Sequence, residues 1–246
     1  MSRPNIIVYK TRNGLKEGLL TQYYTWHGEK PPDDLEALKP IRKSVSPWIN
    51  YVWWDSPAPG VPSEFFAIMW KGFINIPRTG EYRFYVTTDD GSRLWIDDQL
   101  VIDAWSDQPP TTHVSEPVYL EAGYHRIKYY FYNRYAFAEA VLGWIPPVGE
   151  PGVIPREYFK HTDTEYVRFT GLPDEYIIEL VGNEETRKCI PKTRECMVKI
   201  PFNETPYYAR LRILDKETGE VIHESPGTIE FWGGDEIKII IGIIKA

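Results

Sequence analysis

Apolar and polar side chains alternate at a period of two along much of the chain, which is the spacing of β-strands with one buried face. Residues 80–86 alternate polar and aromatic side chains, while residues 65–74 and 124–132 are longer and more continuously apolar. Glycine, proline and aspartate separate these segments. Residues 31–43 predict one short helical turn capped by an aspartate. The pattern as a whole predicts an all-β protein.

The segments fall into two groups separated by residues 146–152, which are rich in proline and glycine and end strand pairing. In the first group, Asp97-Asp98 stands between two short apolar segments and predicts a tight hairpin. The second group is richer in Ile, Val, Glu and Lys and predicts a small immunoglobulin-like β-sandwich over residues 165–246. Residues 1–17 are polar and of mixed charge, and we treat them as a separate N-terminal segment.

The last apolar segment ends Ile240-Ile241-Gly242-Ile243-Ile244. An exposed edge strand of this composition would promote aggregation, so the segment requires a pairing partner. Its own sheet and a neighbouring subunit are the two alternatives.

Composition supports this reading and narrows the range of functions. The 246 residues include 17 Tyr, 10 Phe and 9 Trp, residue types that suit pleated, half-buried surfaces, and the length suits two domains. The four tryptophans Trp70, Trp95, Trp105 and Trp144 are predicted to pack in the core or on a sheet. A net charge of -7 disfavours nucleic acid as a partner. No apolar run approaches the length of a membrane span, which predicts no membrane insertion, and no secretion signal is visible.

Cys189 and Cys196 are the two cysteines of the chain. Their separation allows a disulfide that closes a hairpin in an oxidising compartment, and two reduced thiols are the alternative. The spacing is unlike that of a cysteine-based metal site.

Five separated motifs in the first group resemble the PA14 domain family in order and spacing. The motifs are Arg78-Thr79-Gly80-Glu81-Tyr82-Arg83-Phe84, Thr88-Asp89-Asp90-Gly91-Ser92-Arg93-Leu94-Trp95-Ile96-Asp97, Leu100-Val101-Ile102-Asp103-Ala104-Trp105, Leu120-Glu121-Ala122-Gly123 and Gly143-Trp144. The resemblance implies a PA14-type β-sandwich over residues 18–160, a domain found attached to glycosidases, toxins and adhesins. Asp98-Gln99 departs from the usual Asp-Gly of the family's hairpin.

In the yeast-adhesin branch of this family, the pair that matches Asp89-Asp90 is joined by a cis peptide bond and binds a Ca²⁺ ion that also binds sugar hydroxyls. Asn133 stands where that branch has an asparagine ligand. Calcium takes six to eight oxygen ligands, which leaves room for backbone carbonyls near Tyr135 and Phe137 and for a sugar. The resemblance thus implies metal ligation by Asp89, Asp90, Asn133, Tyr135 and Phe137, and carbohydrate binding by these five residues together with Arg134.

The same residues have simpler interpretations. Asp89-Asp90 followed by glycine is also the composition of a turn, and Tyr135 and Phe137 could pack at the rim without touching a ligand. Asp103 and Asp107 border the loop after the predicted hairpin, where assistance to the cation is one alternative and solvated acids are the usual one.

The sequence contains no recognisable catalytic constellation, nucleotide-binding loop or dinucleotide fingerprint. We therefore predict a binding protein rather than an enzyme: a calcium-dependent carbohydrate-binding lectin or adhesin, with glycans or glycoproteins as partners, outside the cell or on a cell or virion surface. The alternative is a structural surface, filament or virion component that assembles with homo-oligomer or filament neighbours through both domains.

Overall fold

A computed structural model describes residues 4–201 and 206–242 and confirms an all-β protein. The strands up to residue 161 are β1 (Asn5–Arg12), β2 (Lys16–Glu17), β3 (Leu19–Thr25), β4 (Arg42–Ser46), β5 (Asn50–Trp53), β6 (Phe66–Ile76), β7 (Gly80–Asp89), β8 (Gly91–Ile96), β9 (Gln99–Ala104), β10 (Thr111–Val114), β11 (Val118–Leu120), β12 (Gly123–Asn133), β13 (Ala138–Ile145), β14 (Gly152–Val153) and β15 (Phe159–His161). Those that follow are β16 (Tyr166–Thr170), β17 (Tyr176–Val181), β18 (Thr186–Cys189), β19 (Glu195–Lys199), β20 (Tyr207–Asp215), β21 (Val221–Glu224), β22 (Ile229–Phe231) and β23 (Glu236–Gly242).

Two short 3₁₀ helices, Leu35–Ala37 and Arg156–Tyr158, complete the regular elements of these ranges. The first is the predicted helical turn: Asp34 caps it by accepting a hydrogen bond from the Glu36 amide at 2.9 Å. No helix in the described parts of the chain has the length and apolar character to cross a bilayer.

The chain forms two compact units. The first unit comprises Glu17–His161, and the second comprises the described parts of Met1–Lys16 and Thr162–Ala246. Each has its own apolar cluster.

The first unit is a sandwich of two sheets. Its smaller sheet has the order β10-β7-β13-β14, with β11 beside β7 and β5 beside β13. Its larger sheet contains β15-β6-β12-β8-β9, with β3 beside β6 and β4 beside β3. Phe84 and Leu142 of the smaller sheet pack with Trp70 and Phe131 of the larger sheet, and all four are buried. Alternate residues of each strand therefore build the core between the sheets.

A second apolar cluster lies on the larger sheet and contains Tyr24, Trp26, Leu35, Tyr130 and Tyr132. Trp95 and Trp105 pack against it, whereas Trp70 and Trp144 belong to the main core. All four predicted packing roles of these tryptophans are confirmed.

The turn between β8 and β9 is the predicted tight hairpin. Ile96 pairs with Gln99, and both intervening residues have positive φ, 47° at Asp97 and 64° at Asp98. Two successive residues in the left-handed region are typical of a type I′ turn.

The second unit is also a two-sheet sandwich, as predicted. One sheet has the order β1-β23-β16-β19, and the other has the order β18-β17-β20-β21 with β22 beside β20. Val167 and Ile237 from the first sheet pack with Leu180, Leu211 and Phe231 from the second.

The last strand, β23, pairs within its own sheet, antiparallel to β1 and parallel to β16. The first of the two predicted alternatives is therefore confirmed for the described part of this segment, and Ile243 and Ile244 lie outside the described residues. Its neighbour β1 comes from residues that the sequence analysis treated as a separate N-terminal segment. Ile6 of β1 is buried in the core of the second unit.

Cys189 and Cys196 form a disulfide with a Cα–Cα distance of 5.9 Å. Their strands do not form the expected hairpin, because β18 and β19 belong to different sheets of the second unit. The bond consequently joins the two sheets.

Candidate functional site

The dipeptide Asp89-Asp90 lies where the chain passes from one sheet of the first unit to the other. Strand β7 of the smaller sheet ends at Asp89, and β8 of the larger sheet begins at Gly91. The peptide bond between the two aspartates is cis, as the resemblance implies. A Cβ atom on Gly91 would lie 2.3 Å from the Tyr132 ring, so only glycine fits after the pair.

Backbone hydrogen bonds fix Asp90 against the end of β12. The Asp90 amide donates to the Tyr132 carbonyl at 3.2 Å, and the Arg134 amide donates to Asp90 Oδ2 at 2.8 Å. These two contacts bracket Asn133, the residue between Tyr132 and Arg134. The structure therefore brings Asp90 and Asn133, which are 43 positions apart in the sequence, to the same place.

Gln108 is a part of this site that the sequence analysis did not identify. Its backbone amide donates to Asp90 Oδ1 at 3.3 Å, and its side-chain amide donates to the Asp90 carbonyl at 3.1 Å. His113 contacts its side-chain oxygen at 2.9 Å. A glutamine in a polar loop carries no sequence signal for such a role, because the contact depends on how distant loops pack.

Asn133 has an unused oxygen atom. Its side chain is fully buried, and Nδ2 donates to the Ser63 carbonyl at 3.3 Å. Oδ1 has no hydrogen-bond partner among the described residues. A buried acceptor without a partner costs about 1–3 kcal/mol. This oxygen atom therefore favours a bound cation or hydrogen-bond donor.

The electrostatics of the pair also favour a cation. No hydrogen bond reaches the Asp89 carboxylate in the described structure, and burial together with the charges of Asp90 and Glu139 raises its pKa to about 6. Burial raises the pKa of Asp90 as well, although the Arg134 and Gln108 amides oppose this shift. A positive ion beside these carboxylates would lower the pKa of both.

The donor set suits calcium better than zinc. The described residues contain no group of three or more His, Cys, Asp or Glu side chains arranged to hold a metal. The predicted site needs only two carboxylates and an amide oxygen, with the remaining oxygens from carbonyls, water or a sugar. Hard, flexible oxygen coordination of this kind is typical of Ca²⁺.

Arg134 is tied to a neighbouring acid. Its guanidinium contacts Asp107 Oδ2 at 2.7 Å, and the Tyr132 hydroxyl donates to Asp107 Oδ1 at 2.7 Å. Asp103 is paired with Arg93 at 2.8 Å. Asp103 and Asp107 are therefore exposed acids, as expected, and each has an arginine partner.

The two aromatic residues of the loop between β12 and β13 have different surroundings. The Tyr135 ring is 54% exposed and meets the Phe65 ring edge to face at a centroid distance of 4.9 Å. The Phe137 ring is partly buried and lies 4.8 Å from the ring of Trp54, which the sequence analysis missed.

The sequence model of the PA14 domain matches residues 15–158, which is more than half of the chain. The chain belongs to the PA14 domain family. The matched residues cover almost all of the first unit, so the candidate site lies within the PA14 domain.

Among curated proteins, the chain is similar to the anti-sigma-I factor RsgI3 of Acetivibrio thermocellus, with 34% identity over 155 residues. This match covers 62% of the chain but 22% of that protein, so the chain spans about a fifth of its length.

Solved structures with the same fold include an anti-sigma factor domain-containing protein and the PA14 sugar-binding domain of an RTX adhesin. The first has 22% identity and a TM-score of 0.53 and covers 91% of this chain and 88% of its own. The second has 16% identity and a TM-score of 0.52 and covers 59% of this chain and 98% of its own.

Proposed function

We propose that the PA14 domain is a calcium-dependent carbohydrate-binding module rather than an enzyme, with Asp89, Asp90 and Asn133 as the side-chain ligands of the ion. The observation that carries the proposal is the unpartnered, buried Oδ1 of Asn133 beside two carboxylates whose pKa values are raised. Backbone carbonyls near Tyr135 and Phe137 are the further protein ligands that we propose.

When bound, calcium would offer coordination positions that vicinal sugar hydroxyls can fill. The protein itself holds the ligands in place. Asp90 is fixed by the Arg134 and Gln108 amides, and Asn133 is fixed by the Ser63 carbonyl. The Arg134 guanidinium lies 5.3 Å from the Tyr135 ring centroid, and the two side chains would provide polar and aromatic surface next to the ion.

The comparisons support a carbohydrate ligand in a general way. One solved structure with the same fold is described as a sugar-binding domain of an adhesin. We extend that description to this chain because its candidate ligands meet at one end of the sandwich. Glycans or glycoproteins outside the cell are accordingly the proposed partners.

A glycan array probed with the full chain tests this function. Binding is expected with Ca²⁺ present and is expected to disappear with a chelator or with Asp90→Ala. Asp98→Ala is the matched control, because Asp98 belongs to a second Asp-Asp pair at the far end of β8 and is exposed. Equal array signals with calcium and with chelator would reject calcium dependence. No signal in either condition would show that the chain does not bind the glycans on the array.

A second candidate is direct binding of a sigma factor. It is favoured by the similarity to the anti-sigma-I factor RsgI3, which is 34% identical over 155 residues. Size-exclusion chromatography with a purified sigma-I factor distinguishes the two: co-elution would support direct regulation by this chain. Separate elution, together with glycan binding, would leave sugar recognition as its function.

A further inference from the structure

Trp54 is the most exposed large apolar side chain in the described structure, at 82%. Its neighbour Trp53 behaves in the opposite way: the Trp53 ring packs 5.6 Å from Phe131 and 6.0 Å from Phe66, against the core. Alternation along an extended chain explains the pair, since successive side chains point to opposite faces. Single exposed apolar residues are ordinary, so the position of Trp54 matters more than its exposure.

Strand pairing places Trp54 near Asp89. Val52 pairs with Glu139, and Glu139 pairs with Asp89, so these three residues form one row across β5, β13 and β7. Neighbouring strands lie about 4.8 Å apart, which puts β5 about 10 Å from the strand that carries Asp89. Trp54 follows β5 at the same end of the sheet at which Asp90 follows β7.

The indole ring has a support from the loop that follows Asn133. The Phe137 ring lies 4.8 Å from the Trp54 ring at an interplanar angle of 66°, an edge-to-face contact. Such a contact holds one side of the indole and leaves its other surface open to solvent.

The chain after Trp54 is also fixed. The Ser56 hydroxyl contacts the carbonyls of Ala58 at 2.6 Å and Val61 at 2.5 Å, and the Val61 amide donates back to the Ala58 carbonyl at 3.0 Å. Val61 is buried in the core. A binding group on a fixed loop loses little conformational entropy when a ligand docks.

We propose that the Trp54 indole is the stacking plane for the pyranose ring whose hydroxyls bind at the Asp89-Asp90 and Asn133 site, and that Phe137 positions this plane. The ring of a pyranose carries C–H bonds that pack well on an aromatic face, while its hydroxyls need polar partners. An aromatic plane that follows β5, two strands from the strand that carries Asp89, matches a ligand with both characters. The inference rests on the proposed function and adds the residue that would recognise the apolar side of the sugar.

The test measures binding of methyl β-D-glucopyranoside, methyl β-D-galactopyranoside and methyl α-D-mannopyranoside by saturation-transfer NMR, with calcium present. Variants of the full chain are Trp54→Ala, Trp54→Phe and Tyr119→Ala. Tyr119 is a matched control, because it is 66% exposed and pairs with Glu81, about 27 Å along β7 from Asp89. Calcium affinity is measured in parallel by isothermal titration calorimetry.

Trp54→Ala is expected to weaken sugar binding about tenfold, while Trp54→Phe retains most of it and Tyr119→Ala has no effect. Calcium affinity is expected to be the same in all three variants, which also shows that they are folded. Wild-type sugar affinity in Trp54→Ala would overturn the inference and leave the proposed function standing. Absence of binding of all three sugars to the wild-type chain would reject both for these ligands.

Discussion

Two of the Asp-Asp pairs in the first unit stand at opposite ends of one strand, β8. Asp89-Asp90 precedes the strand, and Asp97-Asp98 follows it. The dipeptides are identical in sequence, yet the structure gives them different environments.

The second pair is satisfied by the protein itself. The Arg126 amide donates to Asp97 Oδ1 at 2.8 Å, and His125 contacts Asp97 Oδ2 at 2.6 Å. The Arg126 guanidinium contacts Asp98 at 2.5 Å. These acids shape a turn, and their charges have cationic partners close by.

In the first pair, the Asp90 carboxylate accepts hydrogen bonds from the Arg134 and Gln108 amides, but Asp89 lacks such partners. Asp89 has a raised pKa and no hydrogen bond to its carboxylate in the described structure, and the nearby Oδ1 of Asn133 is also unpaired. The comparison shows that the surroundings decide which pair of acids is a candidate metal site. At the first pair, the neighbouring residues leave oxygen atoms without hydrogen-bond partners. Substitutions at the two pairs should therefore have different effects on calcium affinity and opposite effects on the stability of the metal-free domain.

The largest difference is expected in calcium affinity. Asp90→Ala removes a carboxylate ligand and should weaken calcium binding by about a hundredfold or more, whereas Asp98→Ala should leave it within about twofold. Isothermal titration calorimetry of both variants measures this. Similar losses in the two variants would mean that the pairs are equivalent and that the comparison fails.

Asn133→Ala should have a smaller effect on calcium. It removes one neutral oxygen and should weaken binding about tenfold. Asn133→Asp keeps an oxygen at this position and serves as the control, with retained affinity expected. An unchanged calorimetric titration of Asn133→Ala would show that its Oδ1 does not face the ion.

Without calcium, the two pairs should respond to charge removal with opposite signs. Because the folded pKa of Asp89 is raised to about 6, its ionised form disfavours folding. The stability that depends on protonated Asp89 is fully present below about pH 3.8 and is lost as the pH rises through about 6.

Asp89→Asn should consequently stabilise the metal-free domain near neutral pH, by about 1 kcal/mol after allowance for solvent screening. Asp97→Asn should destabilise it by about 1 kcal/mol, because an amide group replaces the oxygen that contacts His125. Urea unfolding with a chelator present measures both, and a stabilising Asp97→Asn would contradict the account.

The smallest expected effect is on the pH dependence of stability, through His125. The hydrogen bond to Asp97 raises the pKa of His125, with Glu121 also contributing and burial opposing the shift. This contribution to stability is fully present below about pH 6.5 and is lost as the pH rises through the higher folded pKa.

His125→Asn should remove a few tenths of a kcal/mol of pH-dependent stability. Thermal unfolding at about pH 5.5 and about pH 8.5 measures it. The wild-type chain should lose more stability than the variant between these two values, and parallel profiles would show that His125 does not contribute.

Much of the first unit could be predicted because its signals are local. Period-two alternation over residues 80–86 identified β7, and the Asp97-Asp98 dipeptide identified a turn. The signals that failed are those that depend on distant pairing. Strand β1 pairs Ile6 with Ile241, and no local pattern shows that so remote a segment completes the sheet.

The candidate site was also predictable only where its residues carry a signal in the sequence. Asp89-Asp90 and Asn133 carry a family resemblance, and the structure brings them together. Gln108 and Trp54 were not found, because their roles arise from loop packing and strand order. Neither property can be inferred from residue type.

Anomalous scattering from a crystal of the chain grown with Tb³⁺ in place of Ca²⁺ tests the central claim most directly. An anomalous peak is expected within coordination distance of Asp89, Asp90 and Asn133, and none is expected at Asp97-Asp98. A map with no peak at the first pair, or with a peak only at the second, would contradict this claim.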